Sequence, residues 1–330
     1  MAMILGKPVG KVGYGLMGFT WTPNPTSYED AFKVMKTALA QGANFWNGGE
    51  HYGPPEANSL QLLKAYFTRY PEDAEKVVLS IKGGMGKDKD RLFDGTEEGV
   101  RPSVENCVRL LGGSKKIDIF ECGRVDKKTP IEETMRALLK MRDEGLIGGI
   151  GLSEVRAETI RRAARVAPIA AVEIELSLSS TGPTKNGILD TCRELVIPVV
   201  AYSPLGRGFL TGRIQSPDDL PEGDRRRTFP RFQAEMLDAN MKLVRALEGI
   251  ASKKGVTLPQ IALSWVLALE KQFNTSIIPI PGSTKRERVL ENMTLVAMDE
   301  EDLAEIDIIL SQHPVQGERY SAEVMTLSEG

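Results

Sequence analysis

Short apolar, β-branched runs alternate along this chain with longer stretches whose apolar positions recur every three or four residues, and the repeat is roughly 25 to 35 residues, the period of a strand–helix unit. The runs predict eight strands, over residues 12–17, 44–47, 77–82, 117–122, 148–152, 170–175, 198–203 and 276–281. The stretches between them predict helices over 28–41, 58–67, 102–111, 131–144, 157–166, 187–195, a split pair at 241–254 and 258–269, and 285–292. In the first of these Ala31, Val34, Met35, Ala38 and Leu39 share one face. Pro102, Pro130 and Pro259 stand where first turns are expected, positions at which a missing N–H has no intrahelical partner to lose. Three segments fall outside the alternation. Lys7-Pro8-Val9-Gly10 reads as the turn of a small hairpin plugging a barrel floor, and residues 213–236 form a long polar insertion carrying Arg225, Arg226 and Arg227. From Met298 the chain adds one more helix, 300–310, and an irregular tail.

Eight strands with interleaved helices close most simply as a (β/α)8 TIM barrel, here with an N-terminal β-hairpin and a C-terminal extra helix, and 1–330 is expected to be one domain. The alternative is an open doubly wound sheet, which wants a Gly-rich turn between its first strand and a helix. Gly13-Tyr14-Gly15-Leu16-Met17-Gly18 has that spacing, but the Trp- and Pro-bearing residues 19–25 behind it do not continue as a helix, so the match reads as fortuitous. Net charge is −3, too small a field to draw the whole protein to nucleic acid or an anionic membrane. No apolar run approaches the roughly 20 residues that span a bilayer, and the N-terminus does not read as a secretory signal. Three cysteines without CxxC spacing suggest reduced thiols and a cytoplasmic protein. Two histidines, His51 and His313, make a metal site or a Ser/His/Asp triad an unpromising expectation.

In such a barrel the chemistry sits at the C-terminal ends of the strands. The second strand runs out into Glu50-His51-Tyr52-Gly53-Pro54 and the third into Lys82-Gly83-Gly84. A phenol beside an ammonium is a general acid able to protonate a carbonyl oxygen while hydride arrives from a cofactor, and the charge of Lys82 is expected to acidify Tyr52. Taken singly, Tyr52 is an ordinary loop aromatic and Lys82 a solvated strand end; together at successive strand ends they point to catalysis. Phe19 and Trp21, after the first strand, are candidates for a substrate pocket or for packing. The arginine triplet at 225–227 reads as a solvated stretch of loop.

Over nearly its whole length the chain resembles the aldo-keto reductases, most of all fungal pyridoxal reductases. The motifs that carry this are residues 13–18, 47–54, Lys82, 117–126, Gly151-Leu152-Ser153, 202–212 and 278–292. The resemblance implies a catalytic Asp, Tyr, Lys and His. Tyr52 and Lys82 match, whereas Asn47 stands at the Asp position and Gly123 at the His position. It implies NADPH as cofactor: Tyr202 stacking on the nicotinamide, Ser153 and Glu173 (with Glu154 beside Ser153) at the carboxamide, and the loop of Ser203, Leu205, Gly206 and Gly208 around the pyrophosphate. Gly282, Ser283, Thr284, Lys285 and Arg288 are implied at the 2′-phosphate, with Glu291 and Asn292 behind them. Arg124 joins Trp21 and Phe19 at the substrate pocket. The implied activity is reduction of an aldehyde or ketone, with pyridoxal to pyridoxine first. The alternatives are a cofactor-binding module of low activity and a reductase of another aromatic or polyketide carbonyl. Strand alternation puts Glu121 in the barrel interior if position 123 faces the mouth, so Glu121 is a candidate counter-charge for Lys82. Gly123 is expected to leave open space for a substrate ring, and His51, on another strand's loop, is not an evident substitute for the missing His.

Overall fold

A computed structural model describes residues 2–86 and 92–328. Strands β1 (Ala2–Ile4) and β2 (Lys7–Val9) form an antiparallel hairpin. Eight parallel strands follow: β3 (Tyr14–Gly15), β4 (Phe45–Gly49), β5 (Val78–Gly83), β6 (Ile117–Cys122), β7 (Ile147–Ser153), β8 (Ile169–Glu175), β9 (Val199–Tyr202) and β10 (Ile277–Pro279). They are hydrogen-bonded in sequence order, and a parallel bridge from Gly15 to Gly282 together with a bond from the Gly13 amide to the Pro279 carbonyl joins last strand to first. The closure explains the glycines of 13–18. A Cβ at Gly13 would meet the Phe45 carbonyl at 2.8 Å, and one at Gly15 the Ile280 carbonyl at 2.9 Å. Only a four-residue helical turn, Met17–Thr20, follows them.

Side chains alternate along each strand, so the barrel interior is read in layers. The lowest layer is apolar: Phe45, Val78, Ile119, Ala171, Val200 and Ile278 pack with Ile4 and Val9 of the hairpin, which plugs the floor. Two residues further along β4, β5, β6 and β8, the same inward face carries Asn47, Ser80, Glu121 and Glu173, all buried. One step higher on β5 is Lys82. The outward faces of the strands pack against the helical shell in the main core.

Three expectations are corrected. The hairpin turn is Leu5-Gly6, both in the left-handed region at φ 51° and 74°, and Lys7-Pro8-Val9 is its second strand. The helix expected from Pro102 runs Glu97–Leu111, with Thr96 capping the Gly99 amide and Glu97 and Glu98 in the first turn. That cap and the helix dipole place the start five residues earlier, and Pro102 is accommodated in the interior. The helix expected from 241 runs Ala234–Lys254 and absorbs the end of the long insertion. The extra helix is present as Glu300–Gln312, and a short helix, Ala322–Met325, lies in the tail beyond it. Among the described residues no helix is long and apolar enough to cross a membrane.

Candidate active site

Lys82 stands on β5 among three polar side chains from its neighbours. Its Nζ lies 2.5 Å from Glu173 Oε1 and donates to Glu121 Oε1 at 3.0 Å and Asn47 Oδ1 at 3.3 Å. Asn47 Nδ2 in turn donates to Glu173 Oε2 at 2.7 Å and Glu121 Oε1 at 3.4 Å, and Ser80 Oγ to Glu121 at 3.2 Å. The counter-charge absent at position 47 therefore comes from the neighbouring strand, as the alternation along β6 requires, and a second acidic partner, Glu173, comes from β8. Burial works against the Lys82 charge, yet Glu121 and Glu173 outweigh it and hold the ammonium well above the usual lysine range. Burial pushes the Glu173 carboxyl up against the pull of Lys82, with Glu121 adding to the rise, so Glu173 retains a proton more readily than an ordinary carboxyl. Glu173, expected at the carboxamide, is engaged by Lys82 and Asn47.

Tyr52 lies in the turn after β4, buried, its ring stacked on Trp21 with centroids 5.7 Å apart and met edge-on by His51 at 4.9 Å. Burial pushes its phenol up to about 12; Lys82 pulls it down, while Glu173 and Glu121 add to the rise. The expected acidification does not prevail, because burial of the phenol outweighs the pull of Lys82 and the two acids add to the rise. At neutral pH the group is a fully protonated donor. Trp21 carries the Arg225 guanidinium over its face, 3.5 Å from the ring centroid, so this arginine caps the stack instead of dangling in solvent. Its neighbours are engaged too: Arg226 with Asp224 and the Arg207 carbonyl, Arg227 with the Leu220 carbonyl. Phe19 is fully buried against Tyr14 and belongs to the core, which removes it from the pocket.

Gly123 does not open a space. A Cβ there would sit 2.7 Å from the Phe93 ring and 3.5 Å from His51 Cε1. Phe93, from the long loop after β5, walls the position that the sequence left blank, and no local pattern announces it. Beside it Arg124 donates to the Gly123 carbonyl at 2.6 Å and to the Tyr320 hydroxyl at 3.4 Å.

The opposite side of the mouth holds Tyr202, whose hydroxyl bonds Glu154 at 2.8 Å and the Tyr320 hydroxyl at 3.0 Å. Arg319 forks onto Glu154 at 2.9 and 3.1 Å and reaches Glu175 at 3.2 Å, which also receives Arg207 at 2.6 Å. Arg319, Tyr320 and Glu175 carry no sequence signal of this role, since the contacts span more than a hundred residues. Ser203, at φ 49°, starts the loop after β9; Leu205 packs on the core, and Gly206 and Gly208, at φ 57° and 96°, turn it tightly. Across from this loop, the Ser283 hydroxyl accepts from the Lys285 amide at 3.1 Å, and Lys285 immediately precedes the helix Arg286–Met293. Lys285 and Arg288 are exposed and make no ion pair among the described residues, with Gly282 and Thr284 beside them. Glu291 ties the helix to the first loop through Arg213 at 3.1 Å, and Asn292 is buried behind it.

Three buried side-chain atoms have no hydrogen-bond partner among the described residues: His51 Nδ1, Arg124 Nε and Ser153 Oγ. All three belong to residues at or just beyond the C-terminal ends of β4, β6 and β7. Unpartnered buried polar atoms are costly and ask for a ligand. Ser153 Oγ is an available partner for an amide at the place where a nicotinamide carboxamide is expected, so this donor set fits such a cofactor.

Residues 11–311 match the Aldo/keto reductase family. The chain is 44% identical to "Probable pyridoxal reductase 2" of Schizosaccharomyces pombe, over 98% of this chain and 98% of that one. It is 35% identical to an "Aldo-keto reductase" of Gibberella moniliformis, over 95% and 94%. The structure of the glycerol dehydrogenase AKR11B4 from Gluconobacter oxydans superposes with a TM-score of 0.78 at 25% identity, covering 94% of each chain.

Proposed function

Because this chain belongs to the aldo/keto reductase family, an oxidoreductase family that uses a nicotinamide cofactor, we propose that it reduces an aldehyde to an alcohol with NADPH and that pyridoxal is its substrate. The observation that carries the reading is the Tyr52 phenol at the mouth above a buried Lys82 fixed by Glu121 and Glu173. The choice of pyridoxal leans on the name of the S. pombe relative and on the ring-lined mouth of Trp21, Tyr52 and Phe93.

NADPH, when bound, supplies the hydride. Tyr202 would stack on its nicotinamide and Ser153 Oγ would take the carboxamide. The loop of Ser203, Leu205, Gly206 and Gly208 would wrap the pyrophosphate. Gly282, Ser283 and Thr284 lead to Lys285 and Arg288, which would hold the 2′-phosphate, with Glu291 and Asn292 bracing that helix. Tyr52 donates its proton to the carbonyl oxygen as negative charge gathers there. Lys82 stabilises the phenolate that remains, and Asn47, Glu121 and Glu173 hold the ammonium in place. Trp21 and Arg124 border the substrate.

Mixing the protein with NADPH and pyridoxal should bleach the reduced-nicotinamide absorbance, and Tyr52→Phe should slow this by about two or more orders of magnitude while leaving NADPH affinity within a few-fold. Absence of turnover in the unaltered protein refutes the reading. Turnover that survives Tyr52→Phe refutes the assignment of the acid.

A further inference from the structure

We propose that His51 makes the second hydrogen bond to the substrate carbonyl, sharing with Tyr52 the task of orienting and polarising it. This rests on the carbonyl-reductase reading above. A carbonyl oxygen has two lone pairs, and one phenol satisfies only one of them. The imidazole of His51 stands edge-on to the Tyr52 ring, with centroids 4.9 Å apart, and against Trp21 at 5.7 Å. Its Nδ1 is buried and makes no hydrogen bond among the described residues. An atom left so is destabilising, and a ligand bound beside it would relieve the cost. Its Cε1 lies 3.5 Å from where a Cβ on Gly123 would be, so the His51 ring already borders that position from another strand's loop. The Phe93 ring, 2.7 Å from the same point, prevents a larger side chain at 123 from competing for the place. The separation of β4 and β6 in the strand order, which argued against His51 from sequence, is bridged because the turn after β4 folds inward over the mouth.

The charge state suits the task. Burial, and then Lys82, Arg124 and Arg225 facing the ring, hold its pKa down to about 3, so His51 is a neutral imidazole that donates from one nitrogen and accepts at the other. Three cations around it exclude imidazolium, and proton donation stays with Tyr52.

The test compares His51→Leu with His51→Gln on pyridoxal and NADPH, alongside NADPH affinity and thermal unfolding. Loss of a donor to a developing oxyanion should lower kcat of His51→Leu on the order of 10²-fold, with NADPH affinity unchanged, and His51→Gln should recover to within about tenfold of the unaltered protein. An undiminished kcat in His51→Leu, or an equal loss in both variants, overturns the proposal. Should His51→Leu fail to fold, the unaltered protein decides it. The chain has two histidines, so 15N-histidine spectra resolve one from the other. Adding pyridoxal with NADP+ should move the ring resonances of His51 and leave those of His313 in place; unmoved His51 resonances overturn the proposal. Absence of turnover in the unaltered protein would instead refute the function reading on which this rests.

Discussion

Asn47 is held between an ammonium and two acidic side chains, and its amide accepts from the first while donating to the other two. Restoring an acid there is therefore expected to harm the protein. Asn47→Asp removes both donors and adds a third buried carboxyl, which should destabilise the fold by about 3 kcal/mol. Denaturant unfolding should show it, and an unchanged midpoint would refute this account of the cluster. At Gly123 the outcome is steric. Gly123→His meets the Phe93 ring and should lower stability by about 1–3 kcal/mol, relieved when Phe93→Ala is added. Tyr52, with its phenol near 12, stays protonated through the physiological range. The reductase rate should show no falling limb from this group below pH 10, and the reverse oxidation should rise steadily with pH. A falling limb near pH 8 would identify a different acid.

The loops after β9 and β10 cooperate as elements. Glycines turn the first of them tightly, Arg213 and Glu291 tie the two together, and the helix Arg286–Met293 presents Lys285 and Arg288 outward with no internal ion pair among the described residues. A helix start with free cations suits a phosphate. Arg288→Ala is expected to weaken NADPH roughly ten- to a hundredfold and to leave NADH nearly unaffected. Calorimetric titration of both cofactors checks this, and equal losses would move the phosphate elsewhere. The helix Glu97–Leu111 teaches the opposite caution about local signals. Pro102 marks a start by itself, but Thr96 satisfies an amide and Glu97 and Glu98 complement the dipole, so the helix begins earlier.

At the scale of the molecule, the C-terminal tail locks the barrel mouth. Arg319 neutralises Glu154 and Glu175 from more than a hundred residues away. Burial pushes the Glu154 carboxyl up, and Arg319 more than reverses this, so its pKa is lowered on folding. Arg319→Met strands these acids and should cost about 3 kcal/mol or more, read as a lower Tm. Glu154 and His51 act with one sign on the acid side, and Glu173, its carboxyl raised by burial, opposes them. Glu154 contributes stability above its unfolded value of about 4.3 and loses it as pH falls. His51, held near 3, binds its proton more weakly in the fold than in the unfolded chain, so stability declines as pH drops below about 6.5. The Tm of His51→Gln relative to that of the unaltered protein should therefore rise as pH falls from 7 to 5. An unaltered slope would show that His51 is protonated inside the fold.

Periodicity along the chain determined the barrel, because each strand and helix advertises its own burial and the repeat of strand and helix admits few closures. It also placed Tyr52 and Lys82 at successive strand ends and aimed Glu121 inward, the last because alternation along one strand is a local rule. Other features were decided only when the strands closed into a ring. Glu173 meets Lys82 across the interior although strands separate them in the sheet. Phe93 fills the space beside Gly123 because a loop folds back over its neighbour. His51 turns inward, and Arg319 and Tyr320 arrive from the far end of the chain. Contacts of this kind depend on distance in space, and a linear pattern carries information only about neighbours along the chain and about which face each residue presents.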